Sequence, residues 1–186
     1  MGKYWQGEMV RLRAVEPEDL GWLFEREQDN EAARTLSQIP FPRSKAAIRK
    51  WVEKQAVKEP KNDEYFLMIT DLRGQQVGSI DSHLCNRRVG CFELGLSIHE
   101  PHRRKGYARD ALKILLRYFF EELHYQKVTV GVYSFNQPAI ALFAALGFVQ
   151  EGRIRRVALT NSEYHDELRY GLTVEEWRTQ RGLVVS

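Results

Sequence analysis

Cysteine is almost absent from this chain: Cys85 and Cys91 are the 2 thiols in 186 residues. Both read as strand packing and not as a disulfide or a metal pair, which points to a reduced, cytoplasmic setting and to no metal site. Long apolar runs are missing too. Nothing approaches the roughly 18 residues of a membrane helix. Residues 1–13 carry charge throughout and lack the apolar segment of a signal peptide, so no membrane partner is expected. The net charge of +3 is too mild to indicate a nucleic-acid surface. Internal repeats and low-complexity tracts are absent, and so are the phosphate loops Gly-x-x-x-x-Gly-Lys-Ser/Thr and Gly-x-Gly-x-x-Gly. With 43% hydrophobic content, 186 residues can bury one core and are short for two, so residues 1–186 read as a single domain.

What is present centres on His99-Glu-Pro-His-Arg-Arg-Lys-Gly-Tyr-Ala-Arg-Asp110. Before it, Phe92, Leu94, Leu96 and Ile98 alternate with the period of a half-buried strand. After it, Ala108, Ala111, Leu112, Leu115, Phe119 and Leu123 recur at the spacing of an amphipathic helix of about four turns. A basic, glycine-containing loop therefore opens a helix, where unpartnered N–H groups and the positive end of the macrodipole suit a phosphate. Gly106 lets the backbone approach a ligand closely. A second basic cluster, Arg153-x-Arg-Arg156, reads as solvated surface charge.

In chain order, residues 8–13 alternate as a strand, and Pro17-Glu-Asp opens a helix with Leu20, Leu23 and Phe24 on one side. Residues 28–37 are polar and poorly patterned. Ser44 caps a second helix reaching about Val57, with Ala47, Ile48, Trp51 and Val52 inward. Residues 64–70 and 76–83 form two strands around an Asp71-Leu-Arg-Gly74 turn, and residues 86–90 turn the chain into the strand before the basic loop. Residues 127–133 make a buried strand. A helix separates it from residues 92–98, so those two strands should be parallel neighbours. Asn136 caps a short helix ended by Leu146-Gly147, and residues 148–154 and 164–172 form two last strands.

The order Arg103-x-x-Gly106-x-Ala108, followed one strand later by Asn136-x-x-Ala139 and Leu146-Gly-Phe148, then Glu151-Gly152 and Tyr164-His-Asp166, resembles the GNAT superfamily of acetyl-CoA-dependent N-acetyltransferases, in its RimJ/RimL branch. The resemblance covers about Met9 to Trp177. It implies an α/β (α+β) fold: a mixed, mostly antiparallel central sheet, splayed between two parallel strands and flanked by helices. The pantetheine arm of acetyl-CoA would enter the splay. Main-chain groups of Leu96, Ser97 and Ile98 would bind it there, and Arg103, Arg104, Lys105, Gly106, Tyr107 and Ala108 would hold the pyrophosphate. Phe143 is assigned to the same cofactor site. Asn136 would bond the cofactor or the adjacent strand, while its residue-level reading is a helix cap. Gly95 marks an expected bulge that aims an N–H at the thioester carbonyl.

An acceptor amine must be neutral to attack, yet its pKa is about 7.7–8.0 for an α-amine and about 10.4 for an alkylamine, so a proton acceptor is needed. Glu93 is the first candidate, with Asp81, His83 and His99 behind it. The usual acids of relatives, a Tyr and a Ser, are here Phe143 and Ala139. The first two helices would form one wall of the acceptor pocket, with Phe41 and Trp51 either in that wall or in the core. Residues 28–57 are net basic, which favours a protein or peptide N-terminal α-amine over a polyamine or aminoglycoside. A domain that binds CoA without transferring acetyl is the other reading, and a homodimer is left open.

Overall fold

A computed structural model describes residues 4–36 and 39–182. Ser37, the end of the unpatterned stretch, lies outside them. Strands β1 (Val10–Arg13), β2 (Phe66–Asp71), β3 (Gln76–Asn86), β4 (Cys91–Ile98), β5 (Lys127–Tyr133), β6 (Val149–Thr160) and β7 (Glu163–Thr173) form one sheet in the order β1-β2-β3-β4-β5-β7-β6. Neighbours are antiparallel except β4 and β5, which are parallel because a helical crossover joins them. Asn161 and Ser162, with φ of 51° and 65°, make the two-residue turn between β6 and β7.

Alternation along the strands separates two faces. One carries Phe92, Leu94, Val128, Val130 and Val132 and packs against α4 (Tyr107–Arg117), α5 (Gln137–Ala145) and α6 (Val174–Gln180). After α4 the helix continues as a π turn over Tyr118–Glu122, which brings the Phe119 ring onto Phe92 at 4.0 Å between centroids. The opposite face carries Met68, packed with Val15, with Leu23 of α1 (Leu20–Arg26) and with Ile48 and Val52 of α3 (Lys45–Ala56). Register places Met68, Ser79, Ser97 and Glu93 on this second face. No helix among the described residues is long and apolar enough to cross a membrane.

Four expectations need correction. Residues 30–36, thought unpatterned, form helix α2 (Asn30–Leu36), which Asp29 caps at the N–H of Ala32 (2.9 Å); it buries only Ala32, so no apolar stripe announces it. Ala47 is exposed, and α3 buries Ile48 and Val52 instead. Phe41 is 94% exposed and is not core. Gly95 lies in regular register opposite Asp81, and its missing Cβ leaves room for that carboxylate, whose Oδ1 would be 2.5 Å from it; the irregularity between β3 and β4 falls between His83 and Asn86. Helix α6, not anticipated, is closed by a reciprocal Thr173 and Glu176 cap.

Candidate active site

β4 and β5 pair at Cys91 with Lys127, Phe92 with Val128 and Glu93 with Thr129, and then part. From Leu94 to Ile98, β4 keeps its β3 partner on one edge only. The free edge along Leu96, Ser97 and Ile98 faces the wedge, and apart from the Ile98 carbonyl, which Arg103 takes up, the backbone N–H and C=O groups on it need partners. The amides of a pantetheine arm supply that chemistry.

At the mouth of the wedge the chain makes a tight loop into α4. Arg104 (φ 62°) and Gly106 (φ 85°) are left-handed on either side of Lys105, a sequence that turns successive N–H groups toward one concavity. Among the described residues no side chain caps α4, so the first N–H groups of the helix keep their hydrogens for an anion. Arg104, Lys105 and Gly106 are exposed, whereas Tyr107 and Ala108 are half-buried. These features fit acetyl-CoA. The Arg103 side chain turns away to the acceptor side: its Nε donates to the carbonyl of Ile98 (3.0 Å), and its guanidinium lies 3.7 Å from Asp29 and 3.9 Å from Glu31. Arg103 thus offers the loop its backbone and ties it to α2. Asn136 caps α5 by accepting the N–H of Ala139 at 3.2 Å. Phe143 is buried against Phe148, with 5.0 Å between ring centroids.

Where the strands part, a charged row crosses the second face of the sheet. Asp81 accepts from Nδ1 of His83 at 2.8 Å, and Nε2 of His83 lies 3.9 Å from Oε2 of Glu93. The other Glu93 oxygen is ion-paired with Arg169, which also donates to Glu167 at 3.0 Å. The bond to Asp81 holds the His83 pKa above its usual value against the opposing effect of partial burial, helped by the charges of Asp81, Glu93 and Glu64. Partial burial works against the Arg169 charge, but Glu167 and Glu93 outweigh it.

The structure therefore brings Glu93, Asp81 and His83 together and leaves His99 apart, just past the end of β4 and about 20 Å from Glu93, where its ring meets Trp22 of α1 at 5.9 Å. Arg169 and Glu167 escaped notice in the sequence. The signal was the alternation of His165, Glu167 and Arg169 within a strand, which puts all three on one face. Of the basic residues of the expected wall, Arg49, Lys50 and Lys54 are exposed on α3, and Arg43 pairs with Glu27 at 2.5 Å.

Residues 10–149 match the family model described as acetyltransferase (GNAT) domain. The chain is 40% identical over 179 residues, 96% of its length and 98% of the relative's, to the SPbeta prophage-derived uncharacterized N-acetyltransferase YokL of Bacillus subtilis. It is 29% identical to the "Putative ribosomal N-acetyltransferase YdaF" of the same organism, over 60% of this chain and 66% of that one. Spermidine N-acetyltransferase from Vibrio cholerae, in complex with CoA and spermine, superposes with a TM-score of 0.79 at 22% identity, covering 90% of this chain and 97% of that one. The fold and the wedge define a GNAT domain. The chain belongs to the GNAT acetyltransferase family and is an acetyl-CoA-dependent N-acetyltransferase, which removes the reading as a CoA-binding module without transfer.

Proposed function

We propose that the acceptor is a single primary amine, a protein or peptide N-terminal α-amine of the kind the RimJ/RimL branch modifies, which attacks acetyl-CoA directly in a ternary complex. The observation that carries this is how the carboxylates beside the wedge are already engaged. Arg169 holds both Glu93 and Glu167, a cluster with one net negative charge, and Asp81, which carries the row's second uncompensated charge when His83 is neutral, is engaged by its hydrogen bond to His83. One charge matches one ammonium. A polyamine with several would find little uncompensated acid. Leu36 at the end of α2, Ile39 and Phe41 beyond it and Tyr164 on β7 are exposed apolar residues, and Arg34 ties α2 to Thr160 of β6 at 2.8 Å. Exposed apolar residues of this kind suit the side chains of a peptide.

A small-molecule amine is the second reading, favoured by a 28% identical relative named spermidine N(1)-acetyltransferase. The free thiols of Cys85 and Cys91 support a cytoplasmic setting. The edge strand β6, with Val149, Ile154 and Val157 exposed, supports a homodimer formed along it. Thiol release from acetyl-CoA, measured with a short peptide and with the same peptide blocked at its α-amine, tests the acceptor. Turnover of the free peptide only is expected; equal turnover of the blocked peptide through a lysine would overturn it.

A further inference from the structure

Glu93 has the position expected of a proton acceptor, but one of its oxygens is taken up by Arg169. The group beside it is free to act. Asp81 accepts the Nδ1 hydrogen of His83, so the neutral ring carries its lone pair on Nε2. That nitrogen and Oε2 of Glu93 are 3.9 Å apart, too far to bond each other. An ammonium nitrogen fits between them at about 2.9 Å from each. Both lie on the face of the sheet opposite α4, at the narrow end of the wedge where β4 last pairs with β5.

We infer that His83, held in one tautomer by Asp81, takes the proton of the acceptor amine, while Glu93, oriented by Arg169, grips the same ammonium. This rests on the amine-acceptor reading above. In the step, the ammonium gives one proton to Nε2 of His83 and its freed lone pair attacks the thioester carbonyl carbon. The N–C bond forms and the C–S bond breaks, its electron pair staying on sulfur. The amine's next N–H proton ends on that thiolate, giving amide and CoA thiol, and His83 passes its proton to water. The choice of imidazole follows from matching: carboxylates ordinarily titrate near about 4.3 and imidazole near about 6.5, against about 7.7–8.0 for an α-amine. The groups facing His83 are Asp81 on its own strand, Glu93 on β4 and Glu64 before β2, with Arg26 of α1 beside Asp81 and Arg169 of β7 beside Glu93. Three carboxylates against two guanidiniums favour the imidazolium that the step creates.

The test is the pH dependence of kcat/KM for the parent, His83→Gln and Asp81→Asn, each with acetyl-CoA affinity measured by calorimetry. His83→Gln is expected to lose about 100-fold in kcat near pH 7.5, with cofactor affinity within twofold. Asp81→Asn should move the acidic limb to lower pH, an effect that a merely structural role for His83 would not produce. Retention of kcat within threefold by His83→Gln, or an unmoved limb in Asp81→Asn, would overturn the assignment. The profiles are taken with whichever of peptide or spermidine the parent acetylates faster. The identity of that amine judges the acceptor, and the limb judges His83.

Discussion

Arg169 of β7 reaches Glu93 of β4 across β5, the strand between them, because the residue it must cross is Gly131. Register pairs Gly131 with Arg169, and a Cβ at Gly131 would sit 3.2 Å from Nη1 of Arg169 and 2.8 Å from the carboxylate carbon of Glu167. Glycine here serves a close approach of two side chains over the backbone.

Gly131→Val and Arg169→Gln should therefore share a phenotype: kcat/KM for the acceptor down by about 10-fold or more, with the double variant no worse than Arg169→Gln alone. Steady-state kinetics of the two single variants and the double check this. Additive losses would show that Gly131 and Arg169 act separately.

Gly106→Val should weaken acetyl-CoA binding by at least about 10-fold, because valine is strained at φ 85° and its Cβ would lie 3.1 Å from the Met9 sulfur. Arg104→Ala, which leaves the main chain in place, should cost about threefold. Calorimetric titration measures both, and unchanged affinity in Gly106→Val would remove the loop from the cofactor site.

Asp110 is the buried anchor of the N-terminal segment, accepting N–H groups of Glu8 (3.3 Å), Met9 (2.8 Å) and Val10 (2.9 Å). Asp110→Ala strands those donors and should lower the unfolding free energy by about 2–3 kcal/mol in denaturant titration. A loss under about 0.5 kcal/mol would mean that the segment finds other acceptors.

Stability should also carry the mark of His83. Its pKa is raised on folding by Asp81, so its contribution is fully present below the unfolded value of about 6.5 and is lost as pH rises through the folded value. The side chain is 43% exposed, which limits the effect to under about 1 kcal/mol. Urea midpoints at pH 6 and pH 9 should differ more in the parent than in His83→Gln.

Much of this architecture is legible in the sequence because its signals are local. Phe92 to Ile98 alternates, Ala108 to Phe119 runs at helical spacing, and the loop between them carries its glycine at the helix start. The parallel pairing of β4 and β5 follows from the helix that joins them. What is not legible comes from chain meeting chain. Helix α2 buries one alanine and is held by Asp29, so its polar sequence gives no period. The partner of Glu93 lies 76 residues away, and only the strand order β4-β5-β7, with a glycine between, brings it near. Gly95 looked like a bulge in one dimension; beside its neighbour strand it is space for Asp81.

The pairing of Glu93 and Glu167 with Arg169 leaves that cluster one net negative charge for the acceptor, with Asp81 engaged by His83, and the comparison of a short peptide with spermidine tests that most directly. The measurement is kcat/KM from thiol release at saturating acetyl-CoA, with both amines at the same pH and ionic strength. A peptide bearing a free α-amine is expected to exceed spermidine by about 10-fold or more, equivalent to about 1.4 kcal/mol of transition-state stabilisation. A higher kcat/KM for spermidine would contradict the single-amine reading and place a polyamine in the site.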